Sequence, residues 1–337
     1  MPRPAPRRRL GPSAVSAIGF GCMSLSHGYG SPPAPAAAAA LLLRALDLGV
    51  DHFDTATLYG FGANEELVGR TLGPHRARFT LASKCGISGV NTDGGVRRVI
   101  DGRPQTLKQA CEQSLRRLQT DVIDLYYLHR WDKSVAVEDS VGALAGLVRE
   151  GKIRAIGLSE VSAATLERAH AVHPIAAVQS EYSLCTRNPE IAVLETCRRI
   201  GAAFVAFSPL GRGLLAGALG DVARLDAKDL RRAMPRFDAH NHGANLKLLE
   251  RFRALANRAN CSPAQLALAW LLTRGEHVIP IPGTTRIEHL QENLGAADVE
   301  LTPDLTEQLG ALINQRTVAG ARYNAATQAE IDTENFS

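Results

Sequence analysis

Four side chains of complementary acid–base character stand at or just beyond the ends of short apolar runs: Asp54, Tyr59, Lys84 and His129. Each alone has an ordinary structural use. Asp54 could cap a helix, Tyr59 close a loop, Lys84 end a strand in solvent and His129 form a hydrogen bond in the core. Together they make a proton-transfer device. A tyrosine, with a reference pKa of about 10, is a poor acid near neutrality until a nearby ammonium favours its phenolate. Lys84 can supply that charge, and Asp54 can hold the lysine protonated and oriented. The polar series continues after later runs with Ser159, Glu160, Gln179 and the stretch Ser208–Pro209–Leu210–Gly211–Arg212–Gly213.

The runs that carry these residues are mostly apolar on both faces, as parallel strands covered by helices are. Eight are expected, at Val15–Gly19, Gly49–Phe53, Arg78–Ala82, Val122–Leu128, Ile153–Gly157, Ala176–Gln179, Ala203–Phe207 and Val278–Ile279. Between them, Leu107, Cys111, Leu115 and Leu118 recur at helical spacing, as do Val141, Leu144 and Val148. Asn188–Pro189–Glu190 reads as an N-cap followed by proline at N1, and Ser262–Pro263–Ala264–Gln265 as a capping box. Thr302–Pro303 opens a further helix that buries Leu305, Leu309 and Ile313. Eight strand–helix repeats within about 300 residues suit a closed α/β structure, the (β/α)8 TIM barrel, with its chemistry at the C-terminal strand ends. An open doubly wound sheet is the competitor, but Gly19–Phe20–Gly21 runs into Cys22, Met23 and Ser24 and makes no GxGxxG.

The expected organisation is a basic arm and hairpin start over 1–14, a single (β/α)8 domain over 15–325 and a tail over 326–337. Residues 217–245 form a long connection with Arg231, Arg232 and Arg236, read either as a cover for a ligand or as a solvated excursion.

Composition narrows the function classes. The chain has 337 residues, 45% hydrophobic and 21% charged, so it can fill a sizeable core. The Pro35–Leu43 apolar run stops at Arg44, too short for a membrane span. The basic start lacks the apolar stretch and cleavage site of a secretory signal, so a cytoplasmic protein is expected. Net charge is +4, and Arg7, Arg8 and Arg9 supply most of the excess. That tip reads as a solvated arm, and no basic stripe with interleaved aromatics points to nucleic acid or membrane. Six cysteines without a CxxC pair read as buried small hydrophobes. The His240/His242 pair in a polar loop lacks an HExxH partner, so no metal is expected.

The stretch Asp51–His52–Phe53–Asp54–Thr55–Ala56–Thr57–Leu58–Tyr59–Gly60 resembles the signature of the aldo-keto reductases. Lys84, His129, Gly157–Leu158–Ser159, Gln179, Ser208–Pro209–Leu210–Gly211, Ile281–Pro282–Gly283–Thr284–Thr285–Arg286 and Glu292–Asn293 follow in that family's order. The likeness covers roughly residues 8–325 and leans toward the broad aldehyde and pyridoxal reductases and the potassium-channel beta subunits. It implies an NADP(H)-dependent enzyme that reduces a small carbonyl substrate by hydride transfer, with Tyr59 as proton donor, Lys84 and Asp54 assisting it, and His129 orienting the carbonyl oxygen. Ser159 and Gln179 would hold the carboxamide, and Tyr182 would stack on the nicotinamide, with Phe207 as a packing alternative. Gly21, Met23, Ser208 and Pro209 would also bind the cofactor, Gly211 and Gly213 would let backbone N–H groups approach the pyrophosphate, and Leu210 would keep that loop seated. Gly283, Thr284, Thr285, Arg286, Gln291 and Asn293 would hold the adenosine phosphate, Arg286 suiting a 2′-phosphate. Trp131 and Phe237 are candidate substrate contacts, whereas Trp270 is expected to pack between helices. Glu160 stands where many relatives have asparagine and cannot donate the same amide hydrogen bond. Two other readings compete: a cofactor-holding regulatory module with little turnover, and an aldolase-type barrel that uses Lys84 as a Schiff-base nucleophile. The sequence does not fix the oligomeric state.

Overall fold

The structure, a computed structural model, describes residues 6–92, 95–217 and 219–336. Eight parallel strands form one sheet: β1 (Phe20–Gly21), β2 (His52–Asp54), β3 (Thr80–Cys85), β4 (Leu125–Leu128), β5 (Ile156–Ser159), β6 (Ile175–Glu181), β7 (Ala203–Phe207) and β8 (Val278–Pro280). Each pairs with its sequence neighbour. The ring closes where the Gly19 N–H donates to the Pro280 carbonyl at 3.0 Å and the Gly21 N–H to the Pro282 carbonyl at 3.3 Å. This is the expected (β/α)8 barrel. A Cβ on Gly21 would lie 2.7 Å from the Ile281 carbonyl oxygen, so this seam requires glycine.

The helices are α1 (Pro35–Asp47), α2 (Ala63–Leu72), α3 (Pro104–Leu118), α4 (Val137–Arg149), α5 (Ala163–Val172), α6 (Val193–Ile200), α7 (Ala239–Arg258), α8 (Pro263–Leu272), α9 (Ile287–Leu294), α10 (Pro303–Leu312) and α11 (Ala325–Ala329). Their apolar stripes pack on the outside of the sheet. Leu107, Cys111, Leu115 and Leu118 of α3 are buried, and the Ser262–Gln265 capping box opens α8. Inside the barrel, Ala82, Leu125, Tyr127, Ala177, Ala203, Val205 and Ile279 pack together. Trp270 of α8 is buried against Tyr182, as a helix-interface residue.

Four expectations change. Val15–Gly19 is not the first barrel strand. Ser13–Ser16 pairs antiparallel with Arg7–Leu10, and this hairpin sends Leu10 and Val15 into the bottom of the barrel. Apolar residues alone do not distinguish a plug from a barrel strand. The arginine tip is therefore docked: Arg7 pairs with Asp51 at 2.6 Å, and Arg8 donates to the carbonyls of Leu272, Gly275 and Val278. Residues 1–5 of the expected arm lie outside the described residues. Asn188–Glu190 makes only a 3₁₀ turn, with α6 starting at Val193. Here Glu190 binds Arg187 and the Tyr182 hydroxyl.

The 217–245 connection, of which Ala218 lies outside the described residues, also differs from the expected loop. It contains three 3₁₀ turns capped or entered by acidic and apolar residues, and α7 begins at Ala239 rather than Leu246. Asp238 caps it by accepting from the Asn241 N–H at 2.8 Å. His240, Asn241, His242 and Gly243 are weak helix formers and hide that start in the sequence. His242 thus sits on a helix, its ring against Phe237 and its Nε2 3.1 Å from the Gly220 carbonyl.

Two rim elements escaped the sequence reading. After β3 a hairpin, Ile87–Thr92 with Gly95–Ile100, stands at the C-terminal end of the barrel. The segment after α10 crosses the same end. Lys133 donates to the Ala329 and Ile331 carbonyls, and the Asp332 N–H donates to the Glu160 carbonyl at 2.9 Å. No helix among the described residues is long and apolar enough to cross a membrane.

Candidate active site

Asp54 at the end of β2, Tyr59 in the loop from β2 to α2 and Lys84 near the end of β3 meet at the C-terminal mouth. The Lys84 ammonium pairs with Asp54 Oδ1, donates to the Thr55 carbonyl at 2.8 Å and lies 3.4 Å from the Tyr59 hydroxyl. Gln179 donates from Nε2 to the other Asp54 oxygen at 2.7 Å. His129, just after β4, meets the Tyr59 ring edge to face at 6.0 Å. The four residues singled out from the sequence are thus one contiguous group.

The loop that presents Tyr59 is held from below. Glu65 of α2 is fully buried and accepts from Ser83 Oγ and from Arg117 Nε, the latter at 2.7 Å. Asn64 ties Thr55 to the Cys22 carbonyl. Gly60, Phe61 and Gly62 all adopt positive φ, which turns the chain sharply between Tyr59 and α2. Phe61 is left half exposed at the mouth.

Electrostatics sharpen the roles. Burial works against the Lys84 ammonium, but Asp54 and Tyr59 outweigh it and raise its pKa. A lysine locked in that form has no free lone pair for attack on a carbonyl, which disfavours the Schiff-base reading. Burial raises the Tyr59 phenol, and the opposing pull of Lys84 does not cancel it. Lys84 therefore moderates a phenol that remains protonated near neutrality. Burial, with Arg130 and Lys84 nearby, pushes His129 well below the ordinary histidine range. Its neutral ring has one N–H to give to an oxygen.

A cavity of about 1100 Å³ runs from this group across the barrel mouth. Asp54, Tyr59 and His129 line one end, with His27, Phe61 and Arg98 beside them. Gly21, Met23, Ser159, Gln179, Phe207, Ser208, Pro209, Leu210 and Gly213 follow along its length, and Gly283, Thr284, Thr285 and Asn293 stand at the far end. Lys84 lies beneath the floor, and Gly211 is buried within the loop that carries Leu210 and Gly213.

Several expected contacts lie elsewhere. Tyr182 is buried behind the sheet against Phe204 and Trp270, its hydroxyl donating to Glu190, so Phe207 is the aromatic residue that reaches the cavity. Trp131 is turned away and donates to the Val135 carbonyl at 2.8 Å. Phe237 is buried within the long connection. Gln291 faces solvent on α9, whereas its neighbours His289, Glu292 and Asn293 line the cavity. Arg286 is exposed at the α9 N-cap, 3.4 Å from Glu288, at the rim beside Thr285. The sequence signal for Tyr182 and Trp131 was aromatic character near a strand end, which does not fix which way a side chain turns.

Glu160 does not reach the cavity. It takes a positive φ of 58°, a conformation asparagine tolerates well, and its carboxylate turns back to pair with Arg322 and to accept the Glu181 N–H at 2.9 Å. Glu181 pairs with Arg212 at 2.8 Å and with Arg322 at 3.3 Å, while Arg236 stands 3.8 Å away. Arg212 and Arg322 flank the rings of Phe207 and Tyr323. Three guanidiniums around two carboxylates leave positive charge beside the Ser208–Gly213 loop. Tyr323, Asn324 and Thr327, from the segment anchored by Arg322, complete the cavity wall.

An extended dinucleotide fits this cavity. The backbone of Gly21 and Gly283 meets so closely that an added Cβ on Gly283 would sit 2.8 Å from the Gly21 carbonyl oxygen, and small residues continue through Gly211 and Gly213. Excess positive charge lies midway, where a pyrophosphate would pass.

A sequence profile described as the aldo/keto reductase family matches residues 17–314. A probable aldo-keto reductase 1 of Glycine max is 44% identical over 310 residues, covering 92% of this chain and 88% of the relative. The aldo-keto reductase yakc of Schizosaccharomyces pombe, named with NADP(+), is 41% identical and covers 97% of this chain and 96% of its own. Among solved structures, the glycerol dehydrogenase of Gluconobacter oxydans superposes with a TM-score of 0.85 at 28% identity, over 95% of this chain and 98% of that one. An aldo/keto reductase of Klebsiella pneumoniae in complex with NADP and acetate gives 0.70 at 29% identity, over 98% and 100%.

Proposed function

This chain belongs to the aldo/keto reductase family, and from that premise we propose that its cavity is the reaction chamber of the enzyme, with Tyr59 as the proton donor. The protein is an NADP-dependent oxidoreductase that reduces aldehyde or ketone carbonyls to alcohols. NADPH, when bound, supplies a hydride from nicotinamide C4. The chain's own residues do the rest. Phe207 gives the nicotinamide a flat wall, and Ser159 holds its carboxamide. Ser208 to Gly213, beside the positive charge of Arg212, receive the pyrophosphate, and Thr284, Thr285 and Asn293 hold the adenosine end.

The carbonyl oxygen sits between Tyr59 and the neutral His129. His129 donates one hydrogen bond and so polarises the carbonyl. As charge builds on the oxygen it becomes far more basic than a phenolate, and the Tyr59 proton moves onto it. Lys84 stabilises the phenolate left behind, and Asp54 keeps Lys84 charged and in place. The observation that carries this reading is the Asp54–Lys84–Tyr59 chain ending beside His129 at the floor of the cavity.

Arg286 is the residue best placed to distinguish a 2′-phosphate from a hydroxyl, through an exposed guanidinium at the rim beside Thr285. Absorbance at saturating NADPH, followed with a panel of aldehydes and ketones, tests the function. Carbonyl-dependent NADPH oxidation is expected, and tight NADPH binding with no oxidation across the panel would favour the regulatory-module reading instead.

A further inference from the structure

Four arginines line the cavity: Arg98, Arg130, Arg212 and Arg231. Three have carboxylate partners. Arg98 pairs with Glu330 at 2.6 Å, Arg212 with Glu181 at 2.8 Å and Arg231 with Asp229 at 2.7 Å. Arg130 has none among the described residues. It is more than nine-tenths buried, and its Nη1 donates to the His129 carbonyl at 2.6 Å and to Ser159 Oγ at 3.3 Å. Its Nε is buried without a partner. A guanidinium withdrawn from water without a counter-charge is costly, and such a group is retained where a ligand completes it.

Its position says which ligand. Arg130 follows His129 in the chain and contacts Ser159, so it stands at the end of the cavity where the carbonyl is reduced. The loop with excess positive charge for a pyrophosphate is a different place, built by Arg212, Arg322 and Arg236 around Glu160 and Glu181. At the reaction end the Asp54–Lys84 and Arg98–Glu330 pairs are each balanced. One uncompensated guanidinium calls for one negative charge, and its planar fork matches the two oxygens of a carboxylate.

We propose that Arg130 is a specificity-determining residue that binds a substrate carboxylate on the carbon next to the reacting carbonyl, so that the enzyme favours 2-oxo acids over neutral carbonyl compounds. The inference rests on the reading of Tyr59 and His129 given above. In the reaction, the hydride of NADPH adds to C2, the C2–O double bond opens, and the oxygen takes the Tyr59 proton. The carboxylate is unchanged, so a 2-oxo acid, NADPH and one proton give a 2-hydroxy acid and NADP.

Phenylglyoxylate and its methyl ester share the aromatic ring and the ketone and differ in the charge, so they separate this idea from general reductase activity. The full-length enzyme with saturating NADPH should show a higher kcat/KM for the acid. Arg130→Gln should lose about 10- to 100-fold on the acid and less than about threefold on the ester, the span expected for one charge-assisted hydrogen-bonded pair. Arg130→Lys should fall between, since it keeps the charge and loses the fork. Mandelate should bind the parent enzyme saturated with NADP and bind Arg130→Gln much more weakly, as read by a fluorescence titration that does not depend on turnover. Fluorescence titration with NADPH checks that each variant is folded. An acid reduced no better than its ester, an equal loss on both, or a variant that loses only NADPH affinity overturns the role of Arg130. Failure of the parent enzyme to reduce the acid, the ester and simple aldehydes alike overturns the reductase reading beneath it.

Discussion

Asp54 forms the floor of the cavity with Lys84 beneath it, and Glu160, Glu181, Arg212 and Arg322 cluster at its rim. Both groups are almost wholly buried, and in both the charges are paired. They differ in what stands next to them. The floor pair ends on a hydroxyl that faces the cavity, so a change of charge there is felt by a transferable proton. The rim cluster ends on aromatic rings and on backbone, Phe207, Tyr323 and the chain after α10, so its charge holds pieces together. Burial of an ion pair is therefore no indication of catalysis. What decides is whether one member touches a group that can react.

Breaking the floor should abolish turnover and spare the fold. Tyr59→Phe is expected to lower kcat for carbonyl reduction by about 10²- to 10⁴-fold with NADPH affinity and melting temperature little changed. Steady-state kinetics beside a fluorescence titration reads both quantities, and unchanged turnover would remove Tyr59 from its role. Breaking the rim should strike the fold first. Arg322→Ala leaves Glu160 buried without a cation, which costs on the order of 3–5 kcal/mol and lowers the unfolding midpoint by roughly 4–7 °C. A midpoint within about 2 °C of the parent would show that the cluster anchors nothing.

Acid sharpens the contrast. Burial would raise the Glu181 carboxyl, but Arg212, Arg322 and Arg236 outweigh it and hold it at about 2. Its unfolded counterpart titrates near 4.3, so the unfolded chain takes up the proton first and stability falls as pH drops. The Glu181 contribution, on the order of 3 kcal/mol, is complete above about pH 5 and is lost between there and about pH 2. Chemical denaturation at stepped pH should show Glu181→Gln with a flatter decline than the parent over that window. The smallest effect belongs at the exposed end. Arg286→Ala should weaken NADPH by about tenfold and leave NADH nearly unchanged, since a half-exposed arginine–phosphate contact contributes roughly 1–2 kcal/mol. Equal losses for both cofactors would end its proposed phosphate role.

The floor was legible in the sequence because its residues sit at strand ends, where the barrel leaves only one direction to point. Asp54, Lys84 and His129 stand at the ends of apolar runs that form barrel strands, and Tyr59 is five residues past the first of them. The rim was not. Glu160 looked like a loss of an amide donor, and only the positive φ at that residue shows why its side chain turns away from the cavity. Its partner Arg322 is 162 residues distant, and no local pattern announces such a pairing. Tyr182 and Phe207 differ by which face of a strand end they leave, a distinction that one residue of register reverses. The opening strand was misplaced for a similar reason, since the plugging hairpin and the two-residue β1 share the same apolar vocabulary.

The crossing segment also has a consequence in time. During synthesis all eight strands and α10 emerge before Arg322, Tyr323, Asn324 and Thr327, yet those four residues supply a wall of the chamber and its anchor. The barrel can close before it can hold a substrate properly. A nascent chain that has just finished its fold is still an open vessel, and the same step that seals the last stretch onto Glu160 makes it an enzyme.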